Sequence, residues 1–226
     1  MQITEIRAKR SAIGAVIWLH GLGASGNDFV PIVPHLQLPD VDFLFPEAPV
    51  RPVTINGGFE MPAWYDITTY EQIPSREHPP HIAEASKMLK EAISKEVERG
   101  TPAENIVLMG FSQGAAMALH VGRAYPQKLA GIVVLSGYAL LSEQRRFEGI
   151  ANKHTPILFC HGVRDLVVPL RRGESAYDDV AEHFSTTEWK TYPVGHEICL
   201  EELRYIRFWL HDRFNQIRRQ INEKED

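Results

Sequence analysis

The chain has 226 residues, 44% hydrophobic and 23% charged, with a formal net charge of -5 and a pI near 6.1. These are globular proportions with enough apolar residues for a sizeable core, and the length suits one large α/β domain over residues 1–226 better than two. The acidic balance argues against nucleic acid as a partner, which would want a basic face, and two cysteines, Cys160 and Cys199, make no disulfide framework, which points to a cytoplasmic, reducing setting.

Near the N-terminus, Arg7, Lys9 and Arg10 precede an apolar run at 13–19 and superficially resemble a secretory leader. The run leads straight into His20-Gly21-Leu22-Gly23 with no small-residue cleavage site, so it reads as a strand instead. Residues 15–19 are continuously apolar, as a strand buried on both faces of a parallel sheet would be. A glycine-rich turn follows at 20–26, and a second strand is predicted over 41–45. From 49 to 80 the composition changes to prolines, Gly57-Gly58 and the aromatics Phe59, Trp64, Tyr65 and Tyr70, without helical period. Long excursions of this kind are usually functional. Within it, residues 50–73 are expected to form a lid or groove wall.

Residues 81–99 carry apolar side chains at helical spacing, and Gly100 and Pro102 end the helix. An apolar strand over 106–111 then runs into Ser112-Gln113-Gly114 and an alanine-rich helix reaching about 125. Strands are expected at 129–135, 156–162 and 187–192, and helices at 172–184 and 199–218, with a fraying tail at 222–226. Strands alternating with helices predict an α/β fold with a mostly parallel central sheet covered on both faces. No apolar stretch approaches the roughly 18 residues of a membrane span.

The most informative stretch is Gly110-Phe111-Ser112-Gln113-Gly114, the G-x-S-x-G of a nucleophile elbow set between a buried strand and a helix. The turn brings the strand and helix backbones nearly into contact, which is a steric reason for glycine on either side of the serine. A serine hydroxyl needs a general base, and the base needs an acid to fix its tautomer. Candidates occur in the order this architecture uses, with Asp165 just past the 156–162 strand and His196 just past the 187–192 strand. Other histidines sit on or beside helices, and His161 ends its strand too early, although it could shape the acid loop. An oxyanion hole wants two backbone N–H groups: that of Gln113, directly after the serine, and that of Leu22 in the glycine-rich turn. That turn has neither the Lys-Ser/Thr ending of a P-loop nor the spacing of G-x-G-x-x-G. Cys160 and His161 are adjacent, but no second pair at ligand spacing accompanies them, so neither a metal nor another cofactor is expected.

These residues resemble the phospholipase/carboxylesterase group of α/β-hydrolases, which includes carboxylesterases and acyl-protein thioesterases. The likeness rests on residues 20–26, Phe45-Pro46-Glu47-Ala48-Pro49, Met61-Pro62-Ala63-Trp64-Tyr65-Asp66-Ile67, the elbow, Leu135-Ser136-Gly137-Tyr138, residues 161–169 and Gly195-His196. It implies an α/β-hydrolase fold, triad roles for Ser112, Asp165 and His196, and an oxyanion hole from Leu22 and Gln113. It further implies an acyl groove beside Met61 and Trp64. Members often carry Asp where this chain has Ala24 and Pro where it has Leu166, which places Leu166 in the groove as well. The Ala24 form looks more like the bacterial carboxylesterase branch than the animal thioesterases. Members often pair, so the resemblance also raises a homodimer.

The expectation is therefore a serine carboxylesterase acting on short- to medium-chain acyl esters or thioesters of small molecules or lipids, with acylated proteins as a further substrate class. The rival readings are an acyl-protein thioesterase, a lysophospholipase or a dienelactone-type hydrolase, and, from another class, a silent hydrolase-fold protein that only binds a ligand.

Overall fold

In a computed structural model, the chain is described over residues 1–9, 11–69, 77–140 and 151–225. Its strands are β1 (Ile3–Ile6), β2 (Gly14–Leu19), β3 (Val41–Pro46), β4 (Val50–Val53), β5 (Phe59–Pro62), β6 (Ile106–Phe111), β7 (Gly131–Leu135), β8 (Ile157–Gly162) and β9 (Thr187–Tyr192). The helices are α1 (Val33–Leu36), α2 (Pro79–Glu98), α3 (Gln113–Ala124), α4 (Leu170–Ala181) and α5 (Leu200–Glu225). Seven strands form one sheet in the order β1-β3-β2-β6-β7-β8-β9, parallel except where β1 runs against β3.

The continuous apolar runs of β2, β6, β7 and β8 are buried because helices cover both faces of the sheet. On one face, Ile17, Leu19 and Leu108 pack with Ile82, Leu89 and Ile93 of α2 and Met117 of α3, and Ile132 and Phe159 continue onto Ala176 and Val180 of α4. On the other, Val16, Trp18, Val133 and Leu158 meet Leu36 of α1 and Ile206, Leu210 and Phe214 of α5. The six parallel strands send their C-terminal ends to one edge, where loops collect. The turn at 20–26, Ser112, the loop after β8 and the loop after β9 all lie there.

Three elements depart from expectation. β1 is four residues, Ile-Thr-Glu-Ile, half-buried apart from exposed Glu5, too short and too polar a run to stand out. Of the cations beside it, Arg7 is structural: it pairs with Asp42 at 2.7 Å and with buried Glu96 at 2.9 Å, tying β1 to β3 and α2. The excursion after β3 holds a hairpin, β4 against β5, with Val53 opposite Phe59. Pro52 and Pro62 hid it, since proline demotes a strand to an edge. Finally, α5 continues to Glu225 instead of fraying at 222, helped by Ile221 packing against the second core.

Candidate active site

Between β6 and α3 only Ser112 turns the chain, at φ 55°, ψ -119°, a conformation that side chains other than glycine rarely adopt. Such strain persists where the surroundings over-determine it. Ser112 N–H donates to the Leu135 carbonyl at 2.9 Å, and the Ser112 carbonyl accepts from Ala116 N–H at 3.1 Å. The two flanking glycines are sterically required. A Cβ on Gly110 would stand 2.3 Å from the Gly114 carbonyl oxygen, and one on Gly114 would stand 2.4 Å from that of His20.

Two loops supply the partners. Val163 N–H donates to the Tyr192 carbonyl at 2.9 Å and Arg164 N–H to that of Val194 at 3.0 Å, so the loop after β8 and the loop after β9 are stitched together. This brings Asp165 to His196, whose Nδ1 lies 2.6 Å from Asp165 Oδ2. His196 Nε2 lies 2.8 Å from Ser112 Oγ. With the carboxylate as acceptor the ring proton sits on Nδ1, which leaves Nε2 free to accept the serine proton. Phe111 packs beside the imidazole, ring centroids 4.8 Å apart.

Asp165 is buried, and burial alone would push its carboxyl pKa up. Donation from His196 and from the Val168 and Val167 amides outweighs this and holds it below the ordinary carboxylate range. His161 shapes the same loop, donating from Nε2 to the Val168 carbonyl at 2.8 Å.

The glycine-rich turn lies directly over the serine: a Cβ on Gly21 would stand 3.4 Å from Ser112 Cβ. Among the described residues neither the Leu22 nor the Gln113 N–H has a hydrogen-bond partner. Gln113 opens α3, where the helix dipole favours an anion.

The residues expected in the groove part company. Leu166, beside Asp165, is 92% exposed, with Val167 at 68% and the hairpin's Phe59 at 74%. Met61 is half-buried, its sulfur 3.5 Å from where a Cβ on Gly23 would be. Trp64 corrects the expectation. It is wholly buried, its indole N–H donating to the His20 carbonyl at 2.9 Å, so it backs the glycine-rich turn and lines no groove. Nor is the excursion loosely attached where it is described: Asp66 accepts from Thr54 N and Oγ1 at 2.7 and 2.6 Å, and Arg51 donates to the Ala63 carbonyl. Residues 70–73, the end of the expected lid, lie outside the described residues.

Sequence reasoning missed the Gln113 side chain, which accepts from Trp64 N–H and donates to the Tyr65 carbonyl, each at 2.8 Å. It also missed the ring of His20. The signal was present, since all lie in stretches that carried the family likeness. Among the described residues no cluster of three His, Cys, Asp or Glu side chains is placed to hold a metal, and no helix is long and apolar enough to cross a membrane. Both cysteines are free thiols.

The sheet order and the strained serine at the strand–helix turn define an α/β-hydrolase. More narrowly, the chain belongs to the phospholipase/carboxylesterase family, which it matches over residues 1–212. It is 37% identical over 225 residues to acyl-protein thioesterase 1 of Neurospora crassa, covering 93% of this chain and 91% of that protein. It is likewise 37% identical over 208 residues to carboxylesterase SOBER1 of Arabidopsis thaliana, covering 88% and 90%. The crystal structure of Arabidopsis SOBER1 superposes with a TM-score of 0.81 at 36% identity, covering 88% of this chain and 98% of that one.

Proposed function

We propose that the chain is a single hydrolase unit that cleaves carboxylic esters and thioesters by two-step acyl transfer through Ser112, His196 and Asp165. The carrying observation is the unbroken hydrogen-bonded line from Ser112 Oγ through His196 to Asp165. His196 Nε2 takes the hydroxyl proton as Oγ attacks the substrate carbonyl, and Asp165 steadies the imidazolium. The oxygen of the tetrahedral adduct turns to the N–H groups of Leu22 and Gln113, each worth roughly 10²–10³ in rate. The imidazolium then protonates the leaving alkoxide or thiolate. Water, deprotonated by the same nitrogen, releases the acid and restores Ser112.

An acyl substrate of short to medium chain length is supported by exposed apolar Leu166 and Val167 next to Asp165, with half-buried Met61 beside the glycine-rich turn. Free thiols and a net charge of -5 support a cytoplasmic setting and substrates other than nucleic acid. A second reading, action on acylated proteins, is favoured by the 37% and 34% identity to two fungal acyl-protein thioesterases.

The test is hydrolysis of p-nitrophenyl esters from acetyl to palmitoyl, beside acyl-thioesters, by wild type and Ser112→Ala. A short- to medium-chain optimum that vanishes in the variant supports the carboxylesterase reading. A long-chain or thioester optimum supports the second. Turnover undiminished in the variant contradicts both.

A further inference from the structure

The geometry points to His20 as a positioning residue for the oxyanion hole: its ring holds the Gly21–Leu22 peptide so that the Leu22 N–H faces the carbonyl attacked by Ser112. The inference rests on the acyl-transfer reading above and adds to it a residue that never touches substrate.

His20 is wholly buried at the end of β2. Its Nε2 lies 3.0 Å from the Ala48 amide nitrogen, which can only donate. Nε2 is therefore the acceptor, and the ring proton sits on Nδ1. Nδ1 lies 2.8 Å from the Gly21 carbonyl oxygen and donates to it. That carbonyl and the Leu22 N–H belong to one planar trans peptide, so holding the C=O aims the N–H the opposite way. The restraint matters because glycine precedes this peptide, and a peptide beside glycine can flip at small cost. Burial lowers the His20 pKa and keeps the ring neutral. A protonated ring would turn an Nε2–H toward the Ala48 N–H and draw Nε2 to Glu47 Oε2, now 3.4 Å away.

The other side of the turn is held as well. The His20 carbonyl accepts from the Trp64 indole, and the Trp64 amide donates to the Gln113 side chain. One residue thus supplies the first oxyanion donor from its backbone and, through Trp64 and His20, braces the second. This accounts for two stretches of the family likeness that the chemistry leaves unused: Glu47-Ala48 gives the ring its acceptor role, and Ala63-Trp64-Tyr65 clamps its carbonyl.

Two substitutions separate the ring's two bonds. An asparagine amide reaches the place of Nδ1 and keeps the donor to Gly21, whereas a glutamine amide reaches that of Nε2 and loses it. Steady-state kinetics on one p-nitrophenyl ester should show His20→Gln lowering kcat about 100-fold with KM within about threefold, the size of one lost oxyanion donor. His20→Asn should keep kcat within about tenfold of wild type by retaining that bond. A folded His20→Gln with kcat within threefold of wild type, or an Asn variant that falls as far as the Gln variant, overturns the inference. Should His20→Gln not fold, Trp64→Phe removes the indole donor together with part of the buried ring, and urea unfolding run beside the kinetics separates the cavity's cost in stability from the effect on kcat. This variant should lower kcat about tenfold at unchanged KM, a partial loss of that donor; an unchanged kcat overturns the inference. Wild type and Ser112→Ala run in parallel keep the two levels apart. Failure of the acyl-transfer reading appears as turnover surviving in Ser112→Ala, and failure of this inference as turnover lost there but intact in His20→Gln.

Discussion

The floor of the site and its rim are built by opposite means. On the floor, Ser112 is held in a rare backbone conformation by hydrogen bonds of 2.9 and 3.1 Å at its own backbone, between glycines that leave no room for a Cβ, and His196 by bonds of 2.6 and 2.8 Å. On the rim, Leu166 and Val167 beside Asp165 are mostly exposed. The difference teaches that reaction class resides where geometry is over-determined. On the reading proposed above, substrate choice falls to the rim, where replacing an exposed residue disturbs no packing.

Substitutions on the floor should therefore be costly and on the rim selective. The largest effect is expected from Ser112→Ala, a fall in kcat of roughly 10⁶. Asp165→Asn should lower kcat by about 10⁴ while leaving the fold intact, because the amide favours the wrong imidazole tautomer; circular dichroism beside the kinetics would expose a fold-based loss instead. Gly114→Ala should lose about 3 kcal/mol of stability in urea unfolding, since its Cβ would stand 2.4 Å from the His20 carbonyl oxygen.

A smaller effect comes from behind the floor. Glu202, in the first turn of α5, is buried with Oε1 unpartnered among the described residues, and burial pushes its pKa from 4.5 up to about 7. The folded-state value lies above the unfolded one, so this group lets stability fall as pH rises from about 4.5 to 7, with the full cost present above that. Glu202→Gln should accordingly be more stable than wild type at pH 8, by at most about 3 kcal/mol, and gain little at pH 4. Equal gains at both pH values would remove burial of the charge as the cause. At the rim, Leu166→Ala should move stability by less than about 0.5 kcal/mol yet shift the preferred acyl length. An unchanged chain-length profile would take Leu166 out of the groove.

The same contrast governs what the sequence made legible. Buried parallel strands read as unbroken apolar runs, and the G-x-S-x-G stretch between a strand and a helix announced the elbow, because sterics leave few alternatives there. That Asp165 and His196 would meet was readable from chain order and from the strand ends they follow. Trp64 was misread because an aromatic in a proline-rich excursion looks the same whether it faces substrate or backs a turn, and only burial tells the two apart. The hairpin around Phe59 was hidden by prolines that sit on a free edge. The His20 ring was overlooked since its task is to hold a backbone group, which leaves no spacing signature.

The central claim is that Ser112 carries the acyl group, and covalent labelling tests it most directly. Intact-mass and peptide analysis after treatment with a fluorophosphonate should place one phosphonyl adduct on Ser112 in wild type and none in Ser112→Ala, with labelling slowed in His196→Ala. An adduct on another residue, or equal labelling of Ser112→Ala, would contradict the account.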